Sequence, residues 1–293
     1  MGAMIPVAES RGVKIFCPQS GRYSFYNSPY PAHRLMTGID VYPNTASSSV
    51  APSPVDGEIS QVRRVKAPNG RGFDAPEYDT VTLVKAKDQD AVIKILHVDT
   101  ELECGRTIKA GEPLGPLIRS GYFGYQTPLH AHVEVRPGND PLRVRGGYPM
   151  NSLLSLKQLR ITEDVSGTIV LTRKGYAQVQ LRGSNPWVVL DIGGEPGIID
   201  GGIPIYGWFG AHVEASKRGA PVKLLEKQIG VVTNARPRTC VADCAAFEAK
   251  IGSTPVDLFF VLQPSDRSII TATSKKRGEL DLDEGEDVSI TLA

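Results

Sequence analysis

Short alternating stretches, broken every few residues by glycine or proline, constrain this chain more than any other feature. Thirty glycines and 22 prolines leave little uninterrupted helical patterning, which points to a turn-rich, mainly β protein. Strands are expected at "YDTVTLVKA" (78–86) and "AVIKILHVD" (91–99), whose short separation implies a hairpin, and at "LHAHVEV" (129–135). "CGRTIKAGEPLG" (104–115) reads as a Gly-bracketed hairpin, and "SGYFGYQTP" (120–128) as a loop.

A chain of 293 residues is long enough for two domains, each with its own core. Residues 1–155 are expected to form one, and "MNSLLSLKQLR" (150–160) reads as a helix or linker closing it. From about residue 161 the β pattern restarts, so residues 156–293 are expected to form a second β-rich domain with one or two short helices. A hairpin at "GTIVLTRKGYAQVQL" would turn at Arg173-Lys174-Gly175. "WVVLDI", "VDLFFVL" and "DVSITL" read as strands, and "CVADCAAFEAKI" (240–251) as a helix.

Lys+Arg number 33 and Asp+Glu 32, which argues against a nucleic-acid binder that relies on bulk electrostatics. Arg63-Arg64-Val65-Lys66 is read as a solvated strand face. The longest strongly apolar run, Leu258 to Leu262, is too short to cross a bilayer, so no membrane partner is expected. Met1-Gly2-Ala3 ahead of a second methionine has the look of a cleaved tag, and "MGAMIPVAESRGVKIF" has no apolar signal core. The expected location is cytoplasmic, or secreted if a signal peptide has been trimmed from the front. Cys17, Cys104, Cys240 and Cys244 are read as small buried residues of a reducing compartment rather than as half of a metal site.

In "LHAHVEV", period two places His130, His132 and Glu134 on one face and Ala131, Val133 and Val135 on the other. Two imidazoles at that spacing can converge on one point; an exposed polar face is the plainer alternative. His97 ends a strand on the side that Ile93 and Ile95 mark as inward, as a core histidine or a functional one. His212 sits in "AHVEA" (211–215), an echo of "AHVEV" (131–135), and is read as structural. Four of the five histidines, His33, His97, His130 and His132, fall within residues 33–132 of the first domain, together with Asp40. These are the residue types of a catalytic zinc site: three His or carboxylate ligands, an open position for water, and neighbours that handle protons.

The order "GIDV … APSPVDGEIS … ILHVDTELECGRTIKAGEPLG … LHAHVEV" resembles the lysostaphin-type zinc endopeptidases from about Tyr30 to Pro137. The resemblance implies a duplicated hybrid motif (a barrel-sandwich hybrid) for the first domain and one Zn²⁺ per chain. It also implies a peptide substrate of the cell-wall kind, cut by a metal-activated water. Carried over by motif, Asp40 and His132 match metal ligands, while His97 and His130 match the pair that orients the water and stabilises the tetrahedral intermediate. Met36 stands where the family's first histidine ligand is expected, four residues before Asp40. A thioether is a poor partner for Zn²⁺ beside a carboxylate, and His33 is the nearest substitute, reached through a bulge at Arg34-Leu35-Met36. That spacing is also similar to the D-Ala-D-Ala dipeptidase type of zinc enzyme.

Two other readings stay open: a scaffold or binding protein on the same fold that has lost catalysis through Met36, and a carrier or phosphotransfer barrel. "TIKAG" lacks the methionine that would flank a carrier's lysine, and Asp40 beside the histidines argues against phosphotransfer. Tyr122 and Tyr125 would line a groove or simply pack. The second domain carries no named chemistry; substrate recruitment or homo-oligomerisation is the expectation.

Overall fold

The computed structural model describes residues 2–44, 50–87, 90–173, 175–183, 186–264, 268–274, 280 and 282–293. The architecture is mainly β. Two compact units form, Met1–Tyr23 with Tyr30–Leu153, and Ser24–Pro29 with Leu154–Ala293.

The strands that make up most of the first unit are β1 (Met4–Ser10), β2 (Val13–Pro18), β3 (Arg22–Ser24), β4 (Gly38–Tyr42), β5 (Val50–Pro52) and β6 (Gly57–Lys66). They continue as β7 (Tyr78–Lys85), β8 (Ala91–Leu96), β9 (Thr107–Ile108), β10 (Pro113–Pro116), β11 (Ala131–Pro137) and β12 (Asn151–Ser152). Seven of them form one sheet in the order β3-β4-β11-β8-β7-β6-β9, with β10-β5 and β12-β1-β2 beside it. The β7–β8 hairpin forms as the sequence suggests. Residues 104–115 do not make a hairpin: β9 pairs with β6 and β10 with β5, because each finds a longer partner strand than the other could offer. Both faces of β11 are buried, so the exposed-face alternative for its histidines does not hold.

The second unit holds β13 (Ser166–Arg173), β14 (Tyr176–Leu181), β15 (Val189–Ile192), β16 (Glu195–Ile203), β17 (Trp208–Val213) and β18 (Pro221–Leu224). It ends with β19 (Lys227–Arg236), β20 (Thr239–Cys244), β21 (Ala249–Ile251), β22 (Thr254–Phe260), β23 (Ile269–Ser274) and β24 (Asp287–Leu292). They order as β15-β18-β19-β20-β17-β16-β22-β21-β24-β13-β14-β23, and the further pairings β15–β16 and β22–β23 close six strands at each end into a ring. Closure removes free sheet edges. Phe209, Leu258, Phe260, Val179 and Ile290 lie in the core this creates.

The helix expected at 240–251 is absent. Cys240, Val241 and Ala242 lie in β20, laddered to β17 on one side and β19 on the other, and all three are buried. Burial between two strands outweighs alanine's helical preference. Among the described residues the second unit has no helix, and the chain's single helix is α1 (Pro31–Arg34) in the first. Residues 150–160 form β12 and then a linker. β13 and β14 pair as far as Arg173 with Tyr176, while Lys174 of the expected turn lies outside the described residues. Cys17 and Cys240 are buried, Cys244 is half-buried, and Cys104 is exposed, contrary to expectation, because it sits in the turn before β9. Among the described residues no helix is long and apolar enough to cross a membrane.

Candidate metal centre

Strand register builds the centre. Asp40 on β4 is the cross-strand partner of His132 on β11, and His132 faces Leu96 of β8 on its other side. His97, the next residue after β8, and His130, the residue before β11, are therefore delivered to the same end of three adjacent strands. Residues directly opposite on antiparallel strands have Cβ atoms about 5 Å apart, within reach of a side-chain hydrogen bond.

His33 arrives differently. Proline in its first turn starts α1, and His33 N–H donates to the Tyr30 carbonyl at 3.1 Å. Met36 ends the turn with φ +55°, donating its N–H to the His33 carbonyl at 2.9 Å, while Thr37 N–H reaches the Ala32 carbonyl at 2.8 Å. A left-handed residue after a helix is the usual chain-reversing cap. Met36 thus supplies the turn that carries His33 back over Asp40, and it is buried.

The three side chains meet. His132 Nδ1 lies 2.8 Å from Asp40 Oδ1 and His33 Nε2 lies 3.4 Å from the same oxygen. The donor atoms of His33, Asp40 and His132 all lie within 4.8 Å of one another, and all three residues are buried. His130 Nε2 is 3.6 Å from Asp40 Oδ2. The His97 ring centroid is 5.3 Å from that of His130 and 6.4 Å from that of His132. All five residues singled out in the sequence are in one cluster.

Its electrostatics follow from burial working against contact. Burial pushes the Asp40 carboxyl up, but His33, His130 and His132 together hold it well below the usual carboxylate range. Burial pulls His132 down, yet hydrogen bonds to Asp40 and Glu134 more than reverse this and lift it to about 9. His130 has no such pair of carboxylates, and burial takes it down to about 4. Its Nδ1 lies 2.9 Å from the Pro128 carbonyl, which can only accept, so Nδ1 carries the proton and Nε2 is bare. A bare nitrogen and an ionised carboxylate oxygen thus face each other, an arrangement that suits a cation or a donor between them.

The residues fit a divalent metal. A tetrahedral ion with N and O ligands at about 2.1 Å spaces its donors roughly 3.4 Å apart, and the His33–Asp40 separation is 3.4 Å. If His132 ligates through Nδ1, its Nε2, 3.3 Å from Glu134 Oε1, is held by a carboxylate, the arrangement that orients most metal-binding histidines. Glu134 is itself fixed by Lys94 Nζ at 2.5 Å and Arg136 at 2.6 Å, all three buried. Burial pushes Glu134 up, but His132 and Lys94 outweigh it and bring it to about 2.

Gly38 leaves room for the ring: a Cβ there would come 2.7 Å from His132 Cε1. Phe123, which sequence reasoning passed over, stacks on His130 at 4.3 Å and meets His97 edge-on at 4.8 Å. Its only signal was its place in the loop before β11. Tyr122 is exposed and packs edge-on against Tyr30. The carbonyl of Tyr125 accepts from Arg119 at 2.7 Å.

Fold and cluster together define a mainly β protein whose first unit carries a buried His-His-Asp group that could hold a metal ion. Residues 14–152 match the model of a family described as the N-terminal domain of a domain of unknown function, DUF8155. No curated protein matches. Among solved structures the chain is similar to the antimicrobial peptidase lysostaphin from Staphylococcus simulans. That likeness has 16% sequence identity and a TM-score of 0.28, and it covers 92% of this chain and 95% of that one.

Proposed function

We propose that the first unit is a zinc-dependent peptidase centre that hydrolyses a short peptide. His33, Asp40 and His132 would hold the ion, while His97 and His130 handle protons. The observation that carries this reading is the buried convergence of two imidazoles and a carboxylate within 4.8 Å, with two further histidines alongside. The motif resemblance to lysostaphin-type peptidases supports it.

When bound, zinc lowers the pKa of a coordinated water from 15.7 to about 7 and polarises a carbonyl oxygen. The chain's own groups do the rest. His130, neutral at ordinary pH and bare at Nε2, can take a proton there, which the Asp40 carboxylate 3.6 Å away favours and burial opposes. Phe123 covers one face of that ring and keeps bulk water from it. Asp40 stays ionised throughout, so it competes for cations rather than for protons.

A second reading, a binding or scaffold protein on the same fold, takes support from the 2.8 Å hydrogen bond that already satisfies Asp40 and His132 without an ion. One experiment separates the two. Protein purified without chelator is analysed for metal, then incubated with tetraglycine and D-Ala-containing peptides with and without chelator. Cleavage that chelator abolishes and zinc restores supports the peptidase; metal-free protein that takes up no zinc supports the scaffold.

A further inference from the structure

Asp79 lies on β7, a buried acid in the run Tyr-Asp-Thr-Val-Thr-Leu, and its carboxylate is fully engaged with the neighbourhood of His97. Oδ2 is 2.6 Å from His97 Nδ1 and accepts from Ser120 Oγ at 2.5 Å. Oδ1 accepts from the His97 N–H at 3.1 Å and the Thr80 N–H at 2.7 Å. One side chain therefore holds both the backbone and the ring of a single histidine. His97 has φ +68°, a left-handed conformation that a non-glycine residue keeps only where its surroundings enforce it.

Three of the four contacts are donations to Asp79. A carboxylate so surrounded is ionised and has no proton to give, so the fourth is a donation too, from Nδ1–H. Burial pushes Asp79 up, but the His97 and Ser120 hydrogen bonds and the Thr80 N–H bring it below its ordinary value, in line with this.

We infer that Asp79 is a positioning residue that locks His97 as the Nδ1–H tautomer and leaves Nε2 as the proton-accepting nitrogen. The role rests on the peptidase reading of the centre; the tautomer does not. In that reaction His97 Nε2 accepts a proton from the attacking water as its oxygen bonds to the carbonyl carbon. It returns that proton to the leaving amine nitrogen as the C–N bond breaks. Without Asp79 the ring can take the other tautomer, whose Nε2–H cannot accept.

The test is ¹⁵N-histidine NMR on the full chain at neutral pH. The expected spectrum has His97 protonated at Nδ1 and bare at Nε2, with population moving to Nε2–H in Asp79→Asn and returning in Asp79→Glu. On a peptide that the parent protein cleaves, Asp79→Asn should lower kcat by about 100-fold or more, with KM and metal content unchanged. An Nε2–H tautomer in the parent protein overturns the inference, as does a folded Asp79→Asn with unaltered His97 signals or kcat. Should Asp79→Asn fail to fold, the parent spectrum decides, with Ser120→Ala as the milder variant expected to shift the same resonances. The Nδ1–H tautomer in a protein that cleaves no peptide would sink the peptidase reading and leave Asp79's hold on His97 standing.

Discussion

Asp40 and His132 sit directly opposite each other across the β4–β11 ladder, and Asp40 Oδ1 meets His132 Nδ1 at 2.8 Å. The backbone places this pair, so its geometry survives changes elsewhere in the cluster. His132→Ala should therefore keep the strand signature in circular dichroism while zinc content falls from about one per chain to near zero. Equal zinc in variant and parent would rule out His132 as a ligand.

Glu134→Gln probes the support behind the proposed ligand His132. Losing the carboxylate should weaken zinc binding by about 10- to 100-fold. It also leaves Lys94 and Arg136 buried without their shared counter-charge, so urea unfolding should show a loss of about 3 kcal/mol. Unchanged zinc affinity in the folded variant would remove Glu134 from the centre.

Gly38→Ala places a methyl group 2.7 Å from His132 Cε1 and 3.1 Å from the Ala32 Cβ. Neither neighbour is a flexible chain end, so the imidazole must shift. Overpacking of this kind costs about 1–3 kcal/mol, and zinc titration should show weaker uptake than the parent. Full-strength uptake would mean the ring moves aside without harm.

Were His132 a metal ligand, protons and metal would compete for it. Its pKa in the metal-free protein is about 9, above the ordinary 6.5. The stabilisation from its two carboxylate partners is complete below pH 6.5 and is lost as pH rises through about 9. His130, at about 4, does the reverse: between about 4 and 6.5 only the unfolded chain takes up its proton, so stability rises with pH across that window. Zinc at neutral pH must displace the His132 proton, so affinity should climb about tenfold per pH unit towards pH 9. Calorimetry in two buffers of different ionisation enthalpy should show about one proton released per ion; none released would contradict the protonated resting state.

The strand content and the β11 histidines were legible because period two survives wherever one side chain in two must face a core, as Val133 and Val135 do. His33 could be named as a substitute ligand, but the turn that delivers it could not, since nothing local marks Met36 for a left-handed φ. Asp79 was invisible for another reason. It is 18 residues from His97 and meets it only through the β7–β8 pairing, so no spacing rule links the two. The false helix at 240–251 arose because Ala-rich local preference carries no information about the strands on either side.

Ser24–Pro29 belongs to the second unit although the chain on both sides of it belongs to the first. There Ser24 Oγ and the Phe25 N–H donate to the buried carboxylate of Asp200, which also pairs with His212. A cut before Leu154 therefore leaves the second unit incomplete: the fragment would lack two donors to the buried Asp200 side chain.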